Sequence, residues 1–369
     1  MRAFVTGSTG LLGTNLVHLL LEQGWEVRAL SRTEEKAERI LGETAAEIVI
    51  GDMEDVAGFA DHSAVCDVVF HCAAYFREYY AAGEHWEKLK RINVQGTIEV
   101  LRATEAHGVG RVIYTSSGGV LAHPGDGTVL DETADYLPAD ADNRYFYSKV
   151  LAEQAIDTYL ETSDLAVIFI LPGWMHGPRD SGPTAAGQLV LDYMNGDLPG
   201  LINGGQMAVD ARDVAQGMIN AVECGVSGER YLIAGRPVSF PTLAETLEAV
   251  TGQPAPRLPI PMPMALGMAW VSERAAALTG GDTLMTVAGI KTMQRGLTER
   301  VSSAKAERVL GVTFRPLSDT LRDAVDWYRA NGYLLNNGRP PMARPPSITL
   351  YTCPWPPLRP SYGLHGAAS

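Results

Sequence analysis

The chain of 369 residues predicts an α/β fold: a doubly wound parallel sheet with a smaller, mostly helical carboxy-terminal region. Three observations predict it. Short apolar runs alternate with helical patterns through the first half. Those runs are apolar throughout, as strands covered on both faces are. A glycine-spaced turn joins the first run to the first helix. Right-handed crossovers then wind helices onto both faces of one sheet.

The elements follow in order. "RAFVTG" (2–7) is a β-branched run ended by glycine, a strand. "LLGTNLVHLLLEQG" (11–24) has apolar residues at helical spacing and stops at Gly24. "EVRALSR" (26–32), "EIVIGD" (47–52), "CDVVFHCAA" (66–74), "RVIYTSS" (111–117) and "LAVIFILPG" (165–173) are the next strands, with helical segments between them. "ERYLIAG" (229–235) is a further strand. "SFPTLAETLEAVTG" (239–252), "PMALGMAWVSERAAALTG" (263–280) and the strongly amphipathic "LSDTLRDAVDWYRANGYL" (317–334) are helices. These are too few strands for a second large sheet. From Arg339 onward the chain holds eight of its 22 prolines and no acidic residue, which blocks helix and central strand. A flexible tail is expected there, or a strap anchored by Tyr351, Trp355 and Tyr362.

Composition narrows the function classes. A hydrophobic share of 46% and a charged share of 20% are those of a globular protein, and a net charge of −13 argues against nucleic acid or anionic membrane as the main partner. The chain opens directly on a strand pattern and carries no apolar run of transmembrane length, so a cytoplasmic protein is the default. Cys66, Cys72, Cys224 and Cys353 show no metal-ligand or CxxC spacing and read as reduced, structural residues.

"VTGSTGLLG" places Gly7, Gly10 and Gly13 three apart, directly after a strand and opening a helix. That context marks a Rossmann-type dinucleotide loop. Gly7 permits the tight turn, Gly10 lets backbone approach a pyrophosphate, and Gly13 lets helix pack on sheet. Thr9, Leu11 and Leu12 complete the loop, whose N–H groups and helix dipole favour an anion. After the second strand an acid would bind the ribose hydroxyls of NAD(H). Here Ser31 and Arg32 stand instead. Arg32 can pair bidentately with a 2′-phosphate and Lys36 can assist, which favours NADP(H) over NAD(H). Asp52, with Met53 beside it, ends the third strand where adenine would lie. Ala73 and Ala74 end the fourth and leave room for the cofactor.

"RYFYSK" (144–149) supplies the chemistry. On a helix, residues four apart share a face and residues two apart do not, so Tyr145 converges with Lys149 and Tyr147 packs elsewhere. An adjacent ammonium favours the phenolate, which tunes Tyr145 as general acid for a carbonyl or base for an alcohol. Ser116 or Ser117, at the fifth strand end, would hold the carbonyl oxygen.

"TGSTGLLG", "GDMED", "HCAA", "INVQGT", "YTSS", "YFYSK", "LPGWMHGPRD" and "VDARDVA" occur in the order seen in extended short-chain dehydrogenase/reductases, of the NAD-dependent epimerase/dehydratase superfamily. The closing stretch "SSAKAERVLGVTFRPLSDTLRDAVDWYRANGYL" resembles the dihydroflavonol 4-reductase-like branch and is similar to the hopanoid-associated sugar epimerase-like proteins. The resemblance covers about residues 1–335. It implies that Tyr145 is the catalytic acid/base, that Lys149 binds the nicotinamide ribose, that Ser117 rather than Ser116 holds the oxygen, and that Pro172 runs beside the nicotinamide. Asn93 is then mainly structural. Many such relatives pair through helices that include the Tyr–Lys helix, which leaves a homodimer open.

The chain departs from nucleotide-sugar epimerases where they carry an arginine and an asparagine; Leu171 and Trp174 stand there. An apolar wall suits a hydrophobic substrate better than a diphosphate. Tyr75, Phe76, Tyr79 and Tyr80 could line the same pocket, and His176 is expected to face the substrate. Neither His71 nor His176 has a second ligand at metal spacing, so no metal site is expected. The expected layout is a cofactor domain over 1–175 with returns from about 205–235, a substrate region over 176–337, and the tail 338–369. The expected activity is NADPH-dependent reduction of an aldehyde or ketone. The alternative is an epimerase or dehydratase that retains NAD, and the third reading is a non-catalytic dinucleotide sensor.

Overall fold

The structure is a computed structural model and describes residues 1–76, 85–123, 128–139, 143–279, 286–296 and 300–333. Tyr79, Tyr80 and the proline-rich tail lie outside the described residues. The first half alternates as the apolar pattern requires: β1 (Arg2–Thr6), α1 (Leu11–Glu22), β2 (Glu26–Ser31), α2 (Glu34–Leu41), β3 (Glu47–Ile50), β4 (Val68–His71), α3 (Trp86–Leu89), a π-turn (Lys90–Gly96), α4 (Thr97–Ala106), β5 (Arg111–Thr115), α5 (Arg144–Leu160) and β6 (Ala166–Pro172). Then come β7 (Trp174–His176), α6 (Ala185–Asn195), β8 (Leu201–Ile202), β9 (Gly205–Asp210), α7 (Ala211–Cys224), β10 (Arg230–Ile233), β11 (Arg236–Ser239), α8 (Phe240–Thr251), β12 (Pro259–Ile260), α9 (Met262–Thr279), α10 (Val287–Arg295), α11 (Ala304–Leu310) and α12 (Leu317–Ala330).

Seven strands form one sheet in the order β10-β6-β5-β4-β1-β2-β3, and every pairing is parallel. Successive strand residues point to opposite faces. Phe4, Val69, Val112, Val167 and Phe169 face one core, with Leu101 of α4 and Ile156 of α5. Ala3, Val5, Phe70, Ile113 and Ile168 face the other, with Leu16 of α1, Met218 of α7 and Leu310 of α11. Every strand of the centre is therefore buried twice, which is why its residues read as continuous apolar runs.

The chain winds from β1 outward to β3, then returns to place β4 on the other side of β1. That reversal opens a crevice at the carboxyl ends of β1 and β4, where ligands bind in such sheets.

The second half holds more strand than the sequence pattern suggests. β11, β9 and β7 form a three-stranded sheet, and β8 pairs with β12. These strands are short and pair across long sequence separations, so local pattern carries little signal for them. Helices α6, α8 and α12 pack against this unit through Val190, Leu243, Leu247, Leu321 and Val325. Among the cysteines, Cys66 and Cys72 are free, whereas Cys224 is disulfide-bonded, which departs from the reduced reading. No helix among the described residues is long and apolar enough to cross a membrane.

Candidate active site

A cavity of about 540 Å³ occupies the crevice and brings most of the expected site residues together. Its lining includes Gly7, Thr9, Gly10, Leu11, Leu12, Gly13, Arg32, Lys36, Asp52, Met53, Ala73 and Ala74. It also includes Ser116, Ser117, Tyr145, Lys149, Pro172, Tyr75, Phe76 and Trp174.

The glycine loop fits a dinucleotide on its own geometry. Gly7 has φ +66, and a Cβ there would stand 2.7 Å from the Ala73 backbone nitrogen. Only glycine takes that turn without strain. A Cβ on Gly13 would stand 2.2 Å from the Gly7 carbonyl oxygen. A Cβ on Gly10 meets nothing nearer than 3.5 Å, so Gly10 opens onto the cavity. Helix α1 starts after Gly10 with no side-chain cap, leaving first-turn N–H groups for an anion. At the end of β2 no carboxylate stands where NAD-selective sites place one. Ser31 bonds the Thr33 carbonyl, Thr33 caps α2, and the Arg32 and Lys36 side chains reach the cavity. Asp52 accepts from the Glu54 N–H at 2.9 Å, which fixes the turn after β3.

Asn143 caps α5 by accepting from the Phe146 N–H, so Tyr145 stands in the first helical turn. Its ring lies 4.6 Å from Phe76 and 5.6 Å from Phe146, centroid to centroid. Lys149, one turn on, is buried. Its Nζ donates to the Thr115 carbonyl at 2.8 Å and toward the Tyr114 hydroxyl at 3.4 Å. Burial pushes the Lys149 ammonium down to about 8, with Glu153 and Cys72 opposing, so it stays largely charged at neutral pH. Tyr147 stacks on Trp86 at 5.9 Å, as its position off the Tyr–Lys face requires.

The two serines differ. Ser116 is buried and its hydroxyl donates to Glu153. Ser117 is half-buried and accepts from the Gly119 N–H at 3.2 Å. Tyr75 is nearly buried, and its hydroxyl meets His85 Nδ1 at 2.6 Å. Asn93, on the π-turn, accepts from the Tyr75 N–H at 2.7 Å and donates to the Tyr75 carbonyl and the Ser148 hydroxyl. It clamps the strand-to-pocket segment to α5, the structural role expected of it.

His176 is a correction. It does not line the cavity but is 2% exposed, with Nε2 2.7 Å from Gln206 Nε2. Strand β7 pairs with β9 and turns the ring into the protein, while its partner Gln206 reaches the cavity instead. His71 is fully buried at the end of β4. The Ala73 N–H donates to Thr6 Oγ1, which donates to His71 Nδ1. His71 Nε2–H donates to Thr97 Oγ1, which donates to the Asn93 carbonyl. This chain of donors fixes a neutral ring. Among the described residues, no cluster of His, Cys, Asp or Glu is arranged to hold a metal ion.

A pH dependence of stability follows. Burial pushes His71 down to about 3, His176 to about 4 and, with Arg179 nearby, the partly buried His18 to about 4, while it pushes Glu153 up to about 7. Between pH 6 and 5 the unfolded chain binds protons at all three histidines, and the folded chain binds one at Glu153. The difference is 3 − 1, two protons, the His18 share being reduced by its partial exposure. Unfolding free energy is therefore expected to fall by about 2 kcal/mol per pH unit on acidification through that window. Urea titrations at half-unit intervals measure it; a flat or rising curve would contradict the buried neutral rings.

The profile of the NAD dependent epimerase/dehydratase family matches residues 3–234. The chain is 32% identical to a Synechocystis sp. protein whose name, dihydroflavonol 4-reductase, is provisional, across 90% of this chain and 95% of that one. It is 30% identical to sterol demethylase protein B of Methylococcus capsulatus, across 90% of this chain and 100% of that one. The crystal structure of gox2253 superposes with a TM-score of 0.76 at 30% identity, covering 90% of this chain and 99% of that one. Further relatives at 26% to 30% identity carry the names of a ketoreductase, a dehydrogenase and a reductase.

Proposed function

Since the chain belongs to the NAD dependent epimerase/dehydratase family, with reductases and dehydrogenases among its relatives, we propose that this NAD(P)-dependent oxidoreductase reduces an apolar aldehyde or ketone with NADPH. One observation carries the reading: a single cavity joins the glycine cradle to Tyr145, Lys149 and Ser117 under an apolar wall. That wall includes Phe76, Leu121, Leu137, Trp174, Met207 and Val301.

The reduced nicotinamide supplies hydride when bound. Tyr145 protonates the carbonyl oxygen as charge develops there. Lys149, held by Thr115 and Tyr114, stabilises the phenolate that remains. In this reading Ser117 donates to the same oxygen; the Ser116 hydroxyl already donates to Glu153, which supports choosing Ser117. The aromatic and aliphatic wall excludes water and binds the apolar body of the substrate.

The test mixes purified protein with NADPH or NADH and a panel of aromatic and long-chain aldehydes and ketones, and follows nicotinamide absorbance. Net consumption of NADPH is the expected result. Tightly retained NAD with no net consumption, together with turnover of a nucleotide sugar, would instead establish the epimerase chemistry of the same family.

Arg32→Asp is expected to raise the KM for NADPH by about 10- to 100-fold, the worth of a charge-assisted hydrogen-bond pair, and to improve use of NADH. An unchanged NADPH preference would show that another group reads the 2′-phosphate.

A further inference from the structure

Behind the Tyr–Lys pair lies a buried polar cluster that the reaction above does not use. Glu153 is fully buried one helical turn beyond Lys149 on α5. One carboxylate oxygen accepts from Ser116; the other is buried with no hydrogen-bond partner. A carboxylate in that state is costly unless a charge nearby compensates it. Charged and polar groups from four segments face it. Strand β5 and its end bring Tyr114 and Ser116, and α5 brings Lys149 and Asp157. The segment before α5 brings Tyr136, whose hydroxyl donates to Asp157 at 3.1 Å. Strand β10 brings Arg230, whose guanidinium lies 4.7 Å from the Tyr136 ring centroid.

We propose that Glu153 is a positioning residue that keeps Lys149 in its ammonium form, so that the charge acting on Tyr145 is set by a second, buried charge one turn away. The rival account is purely structural, with Glu153 serving only to anchor Ser116 and fill space.

The two accounts part at Glu153→Gln. Glutamine keeps the volume and an oxygen that can accept from Ser116, and removes only the charge. A buried carboxylate one helical turn from a buried ammonium favours the charged lysine, so on this proposal its neutralisation lets Lys149 lose its proton at lower pH. A structural anchor predicts no such shift. For its catalytic consequence the inference rests on the reductase reading, so the primary readout is independent of turnover. The chain has six lysines. Their 13Cε signals report protonation in the ligand-free protein, and Lys149→Met assigns the one that matters.

In Glu153→Gln the Lys149 midpoint is expected to fall by about one pH unit. The alkaline limb of the reductase profile with an aromatic aldehyde is expected to move with it. An unchanged midpoint would overturn the inference, whatever the activity does. Absence of NADPH consumption in the wild type, with the midpoint shifted, would overturn the reductase reading alone. Should Glu153→Gln not fold, the wild-type curve decides. Glu153 must be a carboxylate while Lys149 still holds its proton, so its 13Cδ signal is expected to report ionisation below the Lys149 midpoint; a Glu153 that stays protonated through that midpoint would overturn the proposal.

Discussion

Tyr145→Phe is expected to lower kcat by about 10²- to 10⁴-fold and to leave the Kd for dinucleotide within a few-fold of wild type. The variant deletes one oxygen. The ring stays packed against Phe76 and Phe146, the Asn143 cap is untouched, and Lys149 keeps its bonds to Thr115 and Tyr114. What is lost is the proton donor for the carbonyl oxygen. Stopped-flow nicotinamide absorbance separates hydride transfer from binding, and fluorescence titration gives the Kd. Near-normal rates would remove Tyr145 from the chemistry.

Lys149→Met provides the contrast. It removes the ammonium and also leaves the buried Thr115 carbonyl without its donor, an added cost of about 1–3 kcal/mol in stability. Both variants should be slow, but only Lys149→Met should melt earlier. The double variant should be little slower than either single one, because the two side chains act as a unit.

The parts of this site that the sequence announces are those built from local geometry. The strands of the large sheet are buried on both faces, so Val68, Val69 and Phe70 could each be read as core without knowing which face they meet. The turn at Gly7 and the one-turn spacing of Tyr145 and Lys149 depend on a few consecutive dihedrals. Other features depend on distant pairing. "WMH" gives His176 no reason to be hidden; the pairing of β7 with β9, more than 30 residues on, hides it. Glu153 stands in the sequence at Lys149 plus four, the spacing that singled out Tyr145. Its spacing was legible, yet its burial under β5 and beside Arg230 was not, because those neighbours come from residues 116 and 230. The π-turn that aims Asn93 at Tyr75 likewise has no composition of its own.

Gly10→Ala and Gly13→Ala are expected to fail in opposite ways, although both add one methyl to the same loop. At Gly13 the Cβ would lie 2.2 Å from the Gly7 carbonyl oxygen and 2.8 Å from the Ser8 Cα, both backbone atoms that cannot rotate away. Helix α1 must lift off the loop, and Leu16 and Leu20 on its inner face lift with it. Overpacking of this kind costs roughly 1–3 kcal/mol or more, against the gain of at most about 1 kcal/mol that alanine brings inside a helix. Destabilisation wins, and Gly13→Ala should lower Tm by several degrees even without ligand. At Gly10 the nearest atom is 3.5 Å away, an ordinary contact, and the methyl enters open cavity. The fold should melt normally. The space taken is where backbone must approach the pyrophosphate, so dinucleotide affinity should fall at least tenfold, about 1.4 kcal/mol. Calorimetric melting and dinucleotide titration of the two variants separate these effects. Equal dinucleotide affinity in Gly10→Ala and wild type would mean that the pyrophosphate does not lie on this loop, and the assignment of the cradle would be lost with it.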